Sequence, residues 1–297
     1  MWGRLKTELR DALELVLLPG LAAILPWPMC FTLFKKLARI SWLYRTQVES
    51  ALYLARRYGW AGNDEVHWQW TRRLVTLVDH ADYYLVLTRG DAWFKRHCVV
   101  QGAWYPPTQA SLLLTFHWGA GMWSLHHAAA AGLQVHSLVA AVEGDHFSGR
   151  WVLRRYVTAR TTMMSRISGP ATLDVSASLR PVLKALKAKQ QVFAVVDVPA
   201  DQVSTSQQIQ LLGLQARVPR ALFRLAVEQK IPVTVYLVGL QLQDGQRFLH
   251  INQFGIYDDV DALIVDVFKV LEQAIQENPA VWHFWGESAR FFESVGT

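Results

Sequence analysis

Cysteine is scarce in this chain, with only Cys30 and Cys98 among 297 residues. They form no C-x-x-C pair, so a disulfide framework is not indicated and reduced cytosolic thiols are the default. No G-x-S-x-G elbow occurs, which argues against the usual serine hydrolases. No P-loop occurs, and no G-x-G-x-x-G follows a strand, so a nucleotide cofactor is not expected. Zinc-finger spacing, runs of basic residues and RNA-binding aromatic signatures are also missing, which sets nucleic acid aside as a partner. His117, His126 and His127 match no H-E-x-x-H pattern, and no metal is expected.

Apolar and aromatic residues are plentiful. The chain is 52% hydrophobic, with 13 Trp and 13 Phe. Such an excess fits a lipid-handling or interfacial protein, because indole rings favour the boundary between water and hydrocarbon. A Trp-rich core would account for it equally well. The formal net charge is +6, a balance that attracts anionic lipid or an acidic carrier protein.

Residues 15–34 read LVLLPGLAAILPWPMCFTLF, without a charge. That length suffices for a bilayer crossing, yet Pro19, Gly20, Pro26 and Pro28 interrupt it, and proline removes a backbone donor. Arg4, Lys6 and Arg10 precede it, and Lys35, Lys36 and Arg39 follow. Charge on both sides gives no crossing direction. The expectation is a kinked or re-entrant apolar helical segment lying in a membrane interface. A buried hairpin is the alternative. Two units are expected, a membrane-associating helical segment over 1–60 and an α/β domain over 61–297.

Further on, apolar runs alternate with helical periodicity. Strands are expected at 110–116, 135–142, 192–198 and 232–240, with an edge strand at 251–255. Helices are expected at 48–57, 65–87, 119–131, 176–189, 216–229 and 259–278. The fold class is therefore α/β, a mostly parallel central sheet flanked by helices. Ligands of such sheets gather beyond the carboxyl ends of the strands. His117, Glu143 and Asp197 stand at those ends. His117 leads into Trp118-Gly119-Ala120-Gly121, a small, open turn suited to a general base. Arg150, Arg154, Arg155, Arg160 and Arg166 form a basic stretch that suits phosphate groups, or else a solvated helix face.

The order of these features resembles the bacterial lipid A late acyltransferases, the lauroyl and myristoyl transferases of the lysophospholipid acyltransferase-like superfamily. The likeness covers nearly the whole chain. It runs from the apolar N-terminus through His117-Trp118-Gly119 and the 192–201 strand and loop. It continues through Leu212-Gly213, Pro219–Ala226 and Ile231-Pro232-Val233 to Val281-Trp282-His283-Phe284-Trp285 and Arg290-Phe291-Phe292. The resemblance implies transfer of a fatty acyl chain from an acyl-carrier-protein or coenzyme A thioester to a lipid-like acceptor. The implied place is the cytoplasmic face of the inner membrane, as a peripheral, monotopic or singly anchored protein. No metal or cofactor is implied. His117 is the implied base, with Trp118 and Gly119 toward substrate, and Arg150, Arg154 and Arg166 of the basic stretch are the candidates for binding its phosphate groups.

The family's histidine is followed, after four residues, by Asp or Glu. Here Met122 holds that place, and methionine cannot orient an imidazole. Either another carboxylate reaches His117, with Glu143, Asp145 and Asp197 as candidates, or the protein binds lipid and organises a complex without catalysis. A hydrolase using water as acceptor is a third reading.

Overall fold

Ser111–Thr115 (β2) is buried at every position, as a parallel strand covered on both faces requires. Its side chains alternate. Leu112 and Leu114 join the cluster on one side of the sheet, whereas Leu113 joins the other, following the two-residue period of a strand. The computed structural model describes residues 2–139, 147, 149–175 and 178–292.

The other strands of this sheet are Cys98–Gln101 (β1), Val135–Val139 (β3), Leu173–Asp174 (β4), Gln191–Val195 (β5), Val233–Leu240 (β8) and Arg247–Gly255 (β9). They form seven strands in the order β1-β9-β8-β2-β5-β3-β4. Every neighbouring pair is parallel except β8–β9. The mixed α/β fold with a mostly parallel sheet between helices is thus as the sequence predicts.

On one face lie Arg180–Lys187 (α9), Ala221–Glu228 (α10) and Val260–Glu277 (α11), whose Val182, Phe223 and Phe268 share a core with Leu112 and Leu114. The opposite face is covered by Trp27–Leu37 (α3), Glu65–Thr88 (α5) and Met122–Ala130 (α7), whose Phe34, Leu74 and Trp123 pack with Leu113 and Tyr236. Trp151–Ser168 (α8) completes this layer, and Arg45–Arg57 (α4) gives Val48 to this core but Ala51, Leu52 and Ala55 to the other.

Two expectations change. The helix at 216–229 starts only at Ala221, because a hairpin, Ser206–Leu211 (β6) with Leu214–Pro219 (β7), occupies the preceding residues. Leu212 and Gly213 both have positive φ, which suits the twist of a two-residue hairpin turn. The strand at 251–255 begins at Arg247, and it is not an edge, since β1 covers it. The basic stretch after Arg150 is one helix, α8.

The apolar run at 15–34 does not form a single span. Trp2–Asp11 (α1) leads through a π-helical turn, Ala12–Leu17, into Leu18–Ile24 (α2). The chain then turns extended at Leu25 before α3. Pro19 lacks the N–H that would bond the carbonyl of Leu15. The hydroxyl of Tyr84 donates to that carbonyl at 2.7 Å instead. Leu15, Ala22, Trp27, Phe31 and Phe34 are buried, while Leu17, Ile24 and Met29 remain exposed. Among the described residues no helix is long and apolar enough to cross a membrane.

One ion pair lies wholly inside this layer. Arg247, at the start of β9, donates to both carboxylate oxygens of Asp82 on α5, and neither side chain reaches solvent. The guanidinium also sits 4.3 Å over Trp27 and 5.1 Å over Trp93. Removing one partner of such a pair strands the other charge. Asp82→Asn is expected to lower unfolding free energy by about 3–5 kcal/mol in equilibrium urea denaturation. A loss below about 1 kcal/mol would mean that the pair is hydrated.

Candidate active site

Strands β2 and β5 are adjacent and in register, with Thr115 opposite Val195. Two residues beyond each lie His117 and Asp197. The sheet therefore delivers both side chains to one carboxyl edge, where ligands of parallel sheets gather. Asp197 accepts the backbone N–H of His117 at 2.9 and 3.0 Å, and its Oδ1 lies 3.0 Å from His117 Nδ1. The indole of Trp282 donates to Oδ2 at 2.8 Å. Asp197 is completely buried, whereas the His117 side chain is 36% exposed.

A carboxylate surrounded by donors acts as acceptor, which places the ring hydrogen on Nδ1 and leaves the Nε2 lone pair for chemistry. The carboxylate that reaches His117 is thus Asp197, from the neighbouring strand. Met122 itself is buried at the start of α7.

The turn after His117 is held by the segment 281–284. Trp118 and Trp282 pair as an antiparallel bridge. The backbone N–H of His283 donates to the carbonyl of His117 at 2.7 Å, and its Nε2 bonds the carbonyl of Gly119 at 2.7 Å. The ring of Phe284 stacks on His117 at 4.0 Å. Gly119 has φ +75°, and a Cβ there would fall 1.9 Å from the carbonyl of Val238. Only glycine fits. Arg72 of α5 reaches over and donates to the carbonyls of Trp282 and His283 at 2.7 and 2.8 Å.

His117 lines a cavity of about 700 Å³, a size that accepts a mid-sized organic ligand. Phe116, Trp118, Met122, Leu125, Met164, Phe193 and Tyr236 supply apolar wall. Arg160 of α8 also lines it and forms a two-point pair with Asp79 of α5 at 2.7 and 2.9 Å. Burial would raise the Asp79 carboxyl, but the Arg160 charge and bonds outweigh it and hold the group at about 2. His80 contacts the hydroxyl of Tyr156 at 2.8 Å. Burial pushes His80 down to about 4, against the pull of Asp79. Burial, aided by the charge of Arg72, likewise lowers His283 to about 4.

Of the residues expected here, His117, Trp118 and Gly119 line the cavity and Asp197 bonds to His117. Glu143 and Asp145 lie outside the described residues. Arg150, Arg154 and Arg166 do not line the cavity. Arg150 is bound to Asp11 at 2.7 and 2.9 Å, and Arg154 and Arg166 project from the exposed side of α8. The helical period turns only Arg160 of that stretch inward. Asp201, the second carboxylate after β5, pairs with Arg290.

Sequence reasoning passes over Arg72, Asp79, His80 and the roles of Trp282, His283 and Phe284. A signal exists for one of them, since Arg72-Arg73 interrupts the apolar spacing of α5. No protein-family model and no curated protein matches the chain.

The two lowered histidines set an acid limit. Each is near 6.5 when unfolded and about 4 when folded, so below pH 6.5 the unfolded chain binds protons that the native one does not. Stability conferred by neutral His80 and His283 is full above 6.5 and is lost as pH falls toward 4. Thermal midpoints are expected to drop across that window, and His80→Gln is expected to flatten the drop. An unchanged slope in the variant would contradict the assignment.

Proposed function

We propose that the protein is an acyltransferase that moves a fatty acyl chain from an acyl-carrier-protein or coenzyme A thioester to a lipid-like acceptor. The observation that carries this reading is the His117–Asp197–Trp282 array at a cavity lined by both apolar side chains and the Asp79–Arg160 pair. The resemblance to the lipid A late acyltransferases supports the same chemistry. A non-catalytic reading rests on the lost acid at position 122, and the bond of Asp197 to His117 counts against it.

In the proposed reaction, Nε2 of His117 takes the proton of the acceptor hydroxyl or amine as that atom attacks the thioester carbonyl. Asp197 keeps the tautomer and stabilises the imidazolium. Gly121 and Met122, at the N-terminal turn of α7, border the cavity and offer backbone N–H groups to the developing oxyanion. The C–S bond then breaks, and the imidazolium returns its proton to the leaving thiolate. The acyl chain lies along Met122, Leu125, Met164 and Phe193, and the acceptor meets the Asp79–Arg160 side.

The net charge of +6 suits steering of an acidic carrier protein. The proposed location is the cytoplasmic face of a bacterial inner membrane, with the N-terminal helices as the point of attachment.

Transfer from radiolabelled acyl carrier protein into total lipid extract tests this reading. His117→Ala is expected to lower the rate by roughly 10²–10⁴-fold, and Asp197→Asn by a comparable factor through the wrong tautomer. Labelled free fatty acid as the sole product would instead favour a hydrolase. No transfer by folded wild type across chain lengths would favour lipid binding without catalysis.

A further inference from the structure

Residues 2–24 sort their side chains by chemistry. The three acids all bond to the rest of the protein. Glu8 accepts the N–H groups of Trp151 and Val152 at 2.6 and 2.9 Å. Asp11 holds Arg150, and Glu14 accepts the N–H of Tyr44 at 2.7 Å. The three bases, Arg4, Lys6 and Arg10, are exposed. Trp2, Leu5, Leu9, Leu17 and Ile24 are exposed too, Trp2 at 84%.

At about 100° per residue, positions 2, 5 and 9 fall within about 60° of one another. An unbroken α-helix would swing Leu17 and Ile24 roughly 90° away from Leu5 and Leu9. The π-helical turn Ala12–Leu17 prevents this. It advances by only about 80° per residue, so it retards the helix by about 110°. Leu17 and Ile24 return to the face of Leu5 and Leu9, giving one apolar stripe roughly 33 Å long. Trp151, 65% exposed, stands at the start of α8 beside the contact with Glu8, followed by exposed Arg154 and Arg155.

We propose that this stripe is an in-plane docking surface for an anionic phospholipid bilayer. The apolar side chains enter the boundary between headgroups and acyl chains, and Lys6 and Arg10 meet lipid phosphates. The segregation of charge selects this partner. Every acid of the helix is consumed inward, so the exposed rim carries one sign, and a second copy would oppose like charges. This inference rests on the membrane-associated part of the proposed function, and it has the helix lie along the membrane instead of across it.

Flotation with phosphatidylglycerol vesicles and with phosphatidylcholine vesicles tests it. Wild type is expected to partition to phosphatidylglycerol at least about tenfold more strongly. The double change Leu9→Glu and Leu17→Glu is expected to reduce that partition about tenfold or more, with melting unchanged. A second variant, Lys6→Glu with Arg10→Glu, is expected to abolish the preference for anionic vesicles while sparing the apolar stripe.

Undiminished flotation of the Leu9/Leu17 variant, or no flotation of wild type, would overturn the assignment. Acyl transfer to a detergent-dispersed acceptor, run on the same proteins, separates the two readings. Flotation without transfer retires the acyltransferase and keeps the surface, and transfer without flotation does the reverse.

Discussion

A carboxylate removed from water must be met by donors, or its burial is costly. Asp197 is fully buried, and the groups that meet it are the His117 amide, the His117 ring and the Trp282 indole. Those three donors come from the end of β2 and from the C-terminal segment, so satisfying one carboxylate fastens three parts of the chain at one point. The register of β2 against β5 makes the arrangement possible. A shift of one residue would turn Asp197 to the other face of the sheet and leave His117 without its partner.

The C-terminal segment is fixed in turn from the helical layer. Arg72 is buried and spends its guanidinium on backbone carbonyls of that segment. Burial lowers its pKa to about 10, so it stays charged at neutral pH. Charge-assisted bonds of this kind are short and directional. They hold the carbonyl of His283 while the N–H of the same residue holds the carbonyl of His117. Helix α5 thereby acts on the imidazole through two stretches of backbone, without touching it.

The sheet is legible in the sequence because its central strands are short apolar runs, and runs such as 111–115 and 191–195 have few other uses. His117 and Asp197 are legible as strand ends. Their pairing is not, since it depends on which strands lie side by side, and strand order is a product of crossovers that no local pattern records. The hairpin at 206–219 is hidden, and its last residues read as helix, because its turn places Leu212 at a positive φ that side chains seldom take. The selection of Arg160 over Arg154 and Arg166 follows from helical phase once α8 is known to be a helix. The N-terminal apolar run misleads for a different reason. Seven of its twenty residues are buried, and hydropathy cannot tell a residue that faces the core from one that faces outward.

An acid at the end of β5, with none in the first turn of α7, has an electrostatic consequence. Helix N-termini carry uncompensated N–H groups and a partial positive charge. An acidic side chain within the first turn would neutralise part of that field. With Met122 there instead, the turn presents an apolar side chain to the cavity while its amides keep their full field for an anion. In the proposed reaction that anion is the tetrahedral oxyanion, which forms at the carbonyl that His117 helps to attack. The base and its carboxylate then sit on strands and the oxyanion donors on a helix, so the two charges that develop together are stabilised from separate elements.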